Sequence, residues 1–138
     1  MQQLEPRKDS LTNTITSVQK DNYVAIKTAN KQGYDIARGG GDGIDIYYPN
    51  SKTRRGRVGH GVSKTLMGTD TMGTLEGYRI RKLTPKECWR LMGFADSDFE
   101  KAKAAGISNS QLYKQAGNSI VVNVLEGILK NLLKGGQQ

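Results

Sequence analysis

The sequence predicts an α+β chain, with a glycine-rich β lobe over residues 1–78 and three or four helices over residues 79–138. Three observations predict it. Most of the seventeen glycines fall before residue 80. The same region holds short β-prone runs separated by turn residues, whereas helix-capping patterns begin only after residue 83. The last segment carries one continuous apolar stripe at helical spacing.

In chain order, Thr12 to Ser17 reads as a threonine-rich strand. Tyr23-Val24-Ala25-Ile26 is a second β-prone run, set off by the turn-forming Asp21-Asn22. Gly39 to Gly43 must be a tight or flexible loop, because only glycine tolerates such a succession of turn conformations. Ile44-Asp45-Ile46-Tyr47 alternates apolar and polar, as a half-buried strand does, and Pro49-Asn50 ends it. Leu66-Met67 and Tyr78-Arg79-Ile80 are weaker strand candidates. A faint echo between Asp9–Thr16 and Val62–Met67 is too little for a repeat architecture. Thr84-Pro85-Lys86-Glu87 is a capping box with proline at the first helical position. Cys88, Leu91 and Met92 follow on one face, and Gly93 closes that helix. Ser97-Asp98-Phe99-Glu100 reads as a second box, whose helix stops at Gly106. Ser108 caps a short helix through Tyr113. Val121, Val124, Leu125, Ile128, Leu129 and Leu132 then share one stripe, with Asn123, Glu126, Lys130 and Asn131 off it.

Composition bounds the function. A 138-residue chain supports one modest core or two small lobes. No run approaches the ~18 apolar residues of a membrane span, and Met1 to Pro6 lacks the apolar stretch of a secretory signal. A single cysteine rules out an internal disulfide and fits a reducing cytoplasm. The formal charge is +8, and its placement is informative: Lys52, Arg54, Arg55, Arg57 and Lys64 lie between residues 50 and 64 with no acidic residue among them. Such a cluster attracts polyanions through Coulomb forces and counterion release, making nucleic acid the leading partner. A solvated basic loop, or a face for an acidic partner domain, fits the composition equally well.

Two blocks hold the most information. Arg81-Lys82-Leu83-Thr84-Pro85-Lys86-Glu87-Cys88-Trp89-Arg90-Leu91-Met92-Gly93-Phe94 is, by itself, a well-capped helix after a basic strand end. Leu83, Trp89 and Phe94 would fill a core while the arginines stay in water. Gln115-Ala116-Gly117-Asn118-Ser119-Ile120-Val121-Val122 contains an asparagine suited to capping the last helix, whose first N–H groups could receive a carboxylate or carbonyl oxygen. Cys88 is the only thiol. It falls mid-helix on the apolar stripe, between Glu87 and Trp89, which suits a buried structural cysteine. His60, alone among glycines, suits a surface loop better than a metal site, and no metal ligands are assigned.

Together, in this order, the two blocks resemble the last two motifs of cytosine-C5 DNA methyltransferases, the first in the form Arg-x-Leu-Thr-Pro-(Arg/Lys)-Glu-Cys-x-Arg-Leu-(Met/Gln)-Gly-Phe. The resemblance spans residues 79–133 closely. Residues 1–78 match less specifically, with Tyr34–Ala37 through Pro49–Gly59 similar to the target recognition region of phage-type members. The resemblance implies that Arg81, Thr84, Glu87 and Arg90 form the structural motif that orients the recognition region. It implies that Asn118, Ser119 and Ile120 form part of an S-adenosylmethionine site. It also implies that Lys52, Arg54, Arg55 and Arg57 face double-stranded DNA as phosphate or guanine contacts. The helices would complete a Rossmann-like methyltransferase domain.

The family's Phe-x-Gly-x-Gly turn, Pro-Cys loop, Glu-Asn-Val block and Gln-Arg-Arg block have no counterpart here. No catalytic residue is therefore assigned within the chain. The expectation is a C-terminal fragment that is inactive alone and works with a missing N-terminal catalytic half or subunit, or otherwise self-associates through its last helix. A stand-alone basic DNA-binding module and an interaction domain without catalysis are the competing readings.

Overall fold

A computed structural model of the chain describes residues 23–48, 52–53, 56–77 and 79–135. The strand expected at Thr12–Ser17 and the first half of the threonine-rich echo lie outside these residues. Within them the chain is α+β, with two antiparallel sheets followed by four helices.

Strands β1 (Val24–Lys27) and β2 (Tyr34–Ala37) form a hairpin, in register from Val24↔Ala37 to Lys27↔Tyr34. Its turn closes through Thr28 N–H to Gly33 O at 3.1 Å and Gly33 N–H to Asn30 O at 3.0 Å. Gly33 takes the positive φ of 77° that this reversal needs. The second sheet has four strands in the order β4-β3-β5-β6, where β3 is Gly43–Asp45, β4 Val58–Gly59, β5 Met72–Glu76 and β6 Arg79–Lys82. Ile26, Ala37, Ile44 and Leu75 form one buried cluster drawn from β1, β2, β3 and β5, so the two sheets share a core.

The helices are α1 (Pro85–Leu91), α2 (Asp96–Ala104), α3 (Asn109–Asn118) and α4 (Val122–Gly135). A second core gathers Cys88, Trp89, Met92, Phe99, Leu112 and Ala116. The Trp89 ring packs against Phe94 at 5.0 Å and edge-on against Phe99 at 5.7 Å, while its indole N–H donates to Leu112 O at 3.0 Å. Leu83 and Phe94 pack at the margin of this core, as their positions in the sequence predict.

Several expectations need correction. Leu66-Met67 is irregular backbone rather than strand, because Leu66 turns onto the helical core instead of pairing along an edge. Ser97 does not cap α2; the cap position is Ala95, with no side-chain bond, and the acidic Asp96 and Asp98 occupy the first turn instead. Gly106, at φ 80°, does stop that helix. Ser108 caps α3 as expected, but α3 runs on to Asn118 rather than ending near Tyr113. Asn118 consequently ends α3 and does not cap α4. The strand candidate at Tyr78–Ile80, by contrast, is realised as β6, which pairs with β5 as the edge strand of its sheet.

Candidate DNA and cofactor interface

Of the four cationic candidates for DNA contact, Lys52 is exposed, and Arg54 and Arg55 lie outside the described residues. Arg57 corrects the sequence reading, since it is only 3% exposed. Its guanidinium donates to Asp45 O at 2.7 Å, Tyr47 O at 3.2 Å and Lys27 O at 3.2 Å. Its backbone N–H and that of Val58 donate to the Asp35 carboxylate. A planar fork of five donors matches several carbonyls converging where two sheets meet, which explains why an arginine is buried here. Arg57 thus fastens the middle of the basic segment to β1, β2 and β3.

Asp42 makes a comparable fastening. Its carboxylate accepts from Arg38 N–H at 2.9 Å and Gly61 N–H at 3.2 Å and lies 3.2 Å from His60 Nδ1. Burial works to raise its pKa, but the two backbone donors and the neighbouring imidazole outweigh burial and hold it below the ordinary value. His60 itself sits on an exposed loop, where the sequence puts it.

The first motif block is organised around Arg81. Its guanidinium grips the Glu87 carboxylate with two bonds, at 2.8 and 3.0 Å, while Nε donates to Glu76 at 2.7 Å. Glu87 simultaneously accepts from Thr84 N–H at 2.7 Å, and Thr84 Oγ1 accepts from Glu87 N–H, completing the capping box. Arg81 therefore joins the end of β5 to the first turn of α1. The Arg81 guanidinium holds Glu87 down at about 2, against burial, with the Thr84 N–H helping. Arg90 acts elsewhere: it grips Asp96 with bonds of 2.6 and 2.7 Å, and Lys86 reaches Glu100 at 2.6 Å. Those pairs clip α1 to α2 within the helical part and leave the lobe to Arg81.

Cys88 is 3% exposed within the helical core. Burial, and secondarily the Glu87 charge, push its thiol up to about 11. A nucleophilic cysteine needs the opposite environment, exposed and electropositive.

The second block joins α3 to α4. Gly117 and Asn118 are the last residues of α3, and Ser119 is its C-cap, with Oγ donating to Ala116 O at 2.8 Å. Ile120 is 62% exposed and Asn118 is exposed beside it, so an amide, a hydroxyl and an apolar side chain sit at one short connection. Helix α4 starts against the end of α1, where Val122 N–H donates to Met92 O at 2.9 Å. From Asn123 to Lys134 it is exposed all round, and Val124, Leu125, Ile128, Leu129 and Leu132 form an uncovered apolar stripe. No helix among the described residues is long and apolar enough to cross a membrane.

Sequence reasoning missed Asp35, Asp42, Glu76 and Asp96, the carboxylates that make these fastenings. Asp96 alone had a usable signal, an acid in the first turn of a helix six residues after an arginine. Glu76 meets Arg81 only five residues on, across the β5–β6 turn, whereas Asp35 and Asp42 reach residues about twenty positions away.

Comparison with known proteins identifies the family. The family model for C-5 cytosine-specific DNA methylase matches residues 2–134. The orphan methyltransferase M.SPBetaI of Bacillus phage SPbeta is 68% identical over 62 residues, which are 45% of this chain and 14% of that protein. The type II methyltransferase M.HhaI of Haemophilus parahaemolyticus is 47% identical over 62 residues, 45% of this chain and 17% of its own length. M.HgiCI of Herpetosiphon aurantiacus, also a type II methyltransferase, is 40% identical over 75 residues, or 53% and 17%. The chain thus matches only about a sixth of the length of these relatives, and no solved structure matches it. With that family model covering nearly every residue, the chain belongs to the C-5 cytosine-specific DNA methylases.

Proposed function

We propose that the chain is the C-terminal part of a DNA (cytosine-5) methyltransferase. It contributes target recognition through the β lobe and part of the S-adenosylmethionine site through Asn118, Ser119 and Ile120. The reactive thiolate would come from a separate N-terminal segment or subunit. One observation carries this reading. The family match spans both blocks that resemble its closing motifs, yet the chain's only thiol is buried mid-helix with its acidity suppressed.

Methylation at cytosine C5 needs a thiolate to add at C6 of a flipped-out base, activating C5 toward a methyl donor. Cys88 lacks the access for that attack. S-adenosylmethionine supplies the methyl group when bound. Ile120 offers an apolar contact, and Asn118 and Ser119 offer polar ones, consistent with one wall of such a site. The exposed stripe of α4 supports docking onto the part of the enzyme that holds the remaining motifs. The β lobe, with Lys52, Arg54 and Arg55 on its basic segment, would meet double-stranded DNA, and the protein would act in the cytoplasm.

Methyl transfer from tritiated S-adenosylmethionine to duplex DNA tests the proposal. The 138-residue chain alone should give no incorporation, and mixing it with a segment carrying the Pro-Cys and Glu-Asn-Val motifs should restore it. Incorporation by the chain alone would refute it. DNA binding with no restoration would favour the alternative of a basic DNA-binding module without catalysis.

A further inference from the structure

We infer that a backbone seam between Gly68 and Gly117 lets the β lobe set the position of Asn118, Ser119 and Ile120, linking DNA engagement to the methyl-donor motif. The inference rests on the function proposed above and adds the residues that would connect its two halves. Gly117 lies within α3, where glycine destabilises by roughly 0.5–1 kcal/mol relative to alanine, and no positive φ requires it there. Close approach does require it. A Cβ at Gly117 would stand 2.4 Å from Met67 C and 2.5 Å from Gly68 N, distances that real side chains do not occupy. Across the seam, a Cβ at Gly68 would lie 3.6 Å from Lys114 and 3.7 Å from Asn118 Oδ1.

The connection from β4 to β5 that carries Met67 and Gly68 is held at both ends by the lobe. Gly61 N–H donates to Asp42, and Thr71 O accepts from Ile46 N–H at 3.0 Å. Near its start it runs over Gly43 and Gly59, whose added Cβ atoms would meet Val62 O at 2.5 and 2.7 Å. In its middle, Leu66 enters the helical core. A shift of the β lobe is thereby passed to the C-terminal turn of α3 through backbone contact, with no flexible side chain to absorb it. Linkage is reciprocal, so a donor held at the motif would in turn bias the lobe toward its DNA-bound position. Gly68 and Gly117 are positioning residues on this account and touch neither ligand.

Titration of the 15N-labelled chain with a short mixed-sequence DNA duplex at low salt tests the seam. In the unaltered chain, amide resonances of β1 and β2 and those of Asn118 to Ile120 should move along one binding curve. In Gly117→Ala the β-lobe shifts should persist while the Asn118–Ile120 response is lost. Gly68→Val, a loop substitution pressing on Lys114 and Asn118, should do the same and decides the matter if Gly117→Ala fails to fold. Gly127→Ala, with nothing within 4 Å of the added Cβ, should leave both responses intact. A moving β lobe with silent Asn118–Ile120 resonances in the unaltered chain would overturn the seam and spare the DNA-recognition reading. So would a full response in both Gly117→Ala and Gly68→Val. No shift anywhere would sink the recognition reading and the seam with it.

Discussion

Glu87 is the residue on which the lobe and the helices most directly meet, because one carboxylate serves both Arg81 and the Thr84 cap. Its pKa falls from an ordinary 4.5 to about 2 on folding. A depressed carboxylate contributes stability that is fully present above 4.5 and is lost as pH falls through about 2. Urea midpoints measured across that window should decline with acid, and Glu87→Gln should flatten the decline. Cys88 should resist alkylation at neutral pH until denaturant is added, and Cys88→Ser should leave the fold and DNA binding nearly unchanged. Arg57 was legible as a basic residue but not as a buried one, since the carbonyls it serves come from β1, β3 and the segment just after β3. Arg57→Ala should destabilise the β lobe by about 1–3 kcal/mol for each buried carbonyl left unpaired. Thermal melts should show the loss, whereas alanine at Lys52, Arg54 and Arg55 should lower the salt slope of DNA binding with little change in melting.

At the scale of elements, local chemistry was the best guide. The capping box at Thr84, the stops at Gly93 and Gly106 and the Ser108 cap are all decided by residues within one turn of each other. Thr84→Ala should therefore destabilise the chain by ~1 kcal/mol through loss of the cap, measurable as a lowered urea midpoint with an unchanged slope. The second expected box failed because an acidic first turn at Asp96, held by Arg90, begins the helix earlier than Ser97. Strands β4 and β5 escaped notice for another reason. Both carry a glycine, and cross-strand partners define them rather than their own residues.

At the scale of the whole molecule, the main feature among the described residues is a 14-residue helix that is anchored at its first turn and exposed from Asn123 to Lys134. Its uncovered stripe makes association the expected behaviour of the isolated chain. Replacing Leu125 and Ile128 with serine should shift the chain toward monomer in sedimentation or light scattering, and the same change should abolish recovery of methyl transfer by the complementing segment. An unaltered chain that stays monomeric and leaves this face bare in the assembled enzyme would contradict it. The sequence by itself determined the α+β order, the start of α1 and its stop at Gly93, the Ser108 cap, the family and the burial of Cys88. Each depends on neighbours in the chain or on an ordered run of side chains. Only the tertiary structure decided that Arg57 turns inward, that Arg81 bridges lobe and helix while Arg90 does not, and that Gly117 meets the backbone at Gly68. Those outcomes depend on which carbonyls, carboxylates and peptide planes converge in space, for Arg57 and Gly117 from far along the chain and for Arg81 across a turn and a strand-to-helix junction, and residue type alone does not encode that convergence.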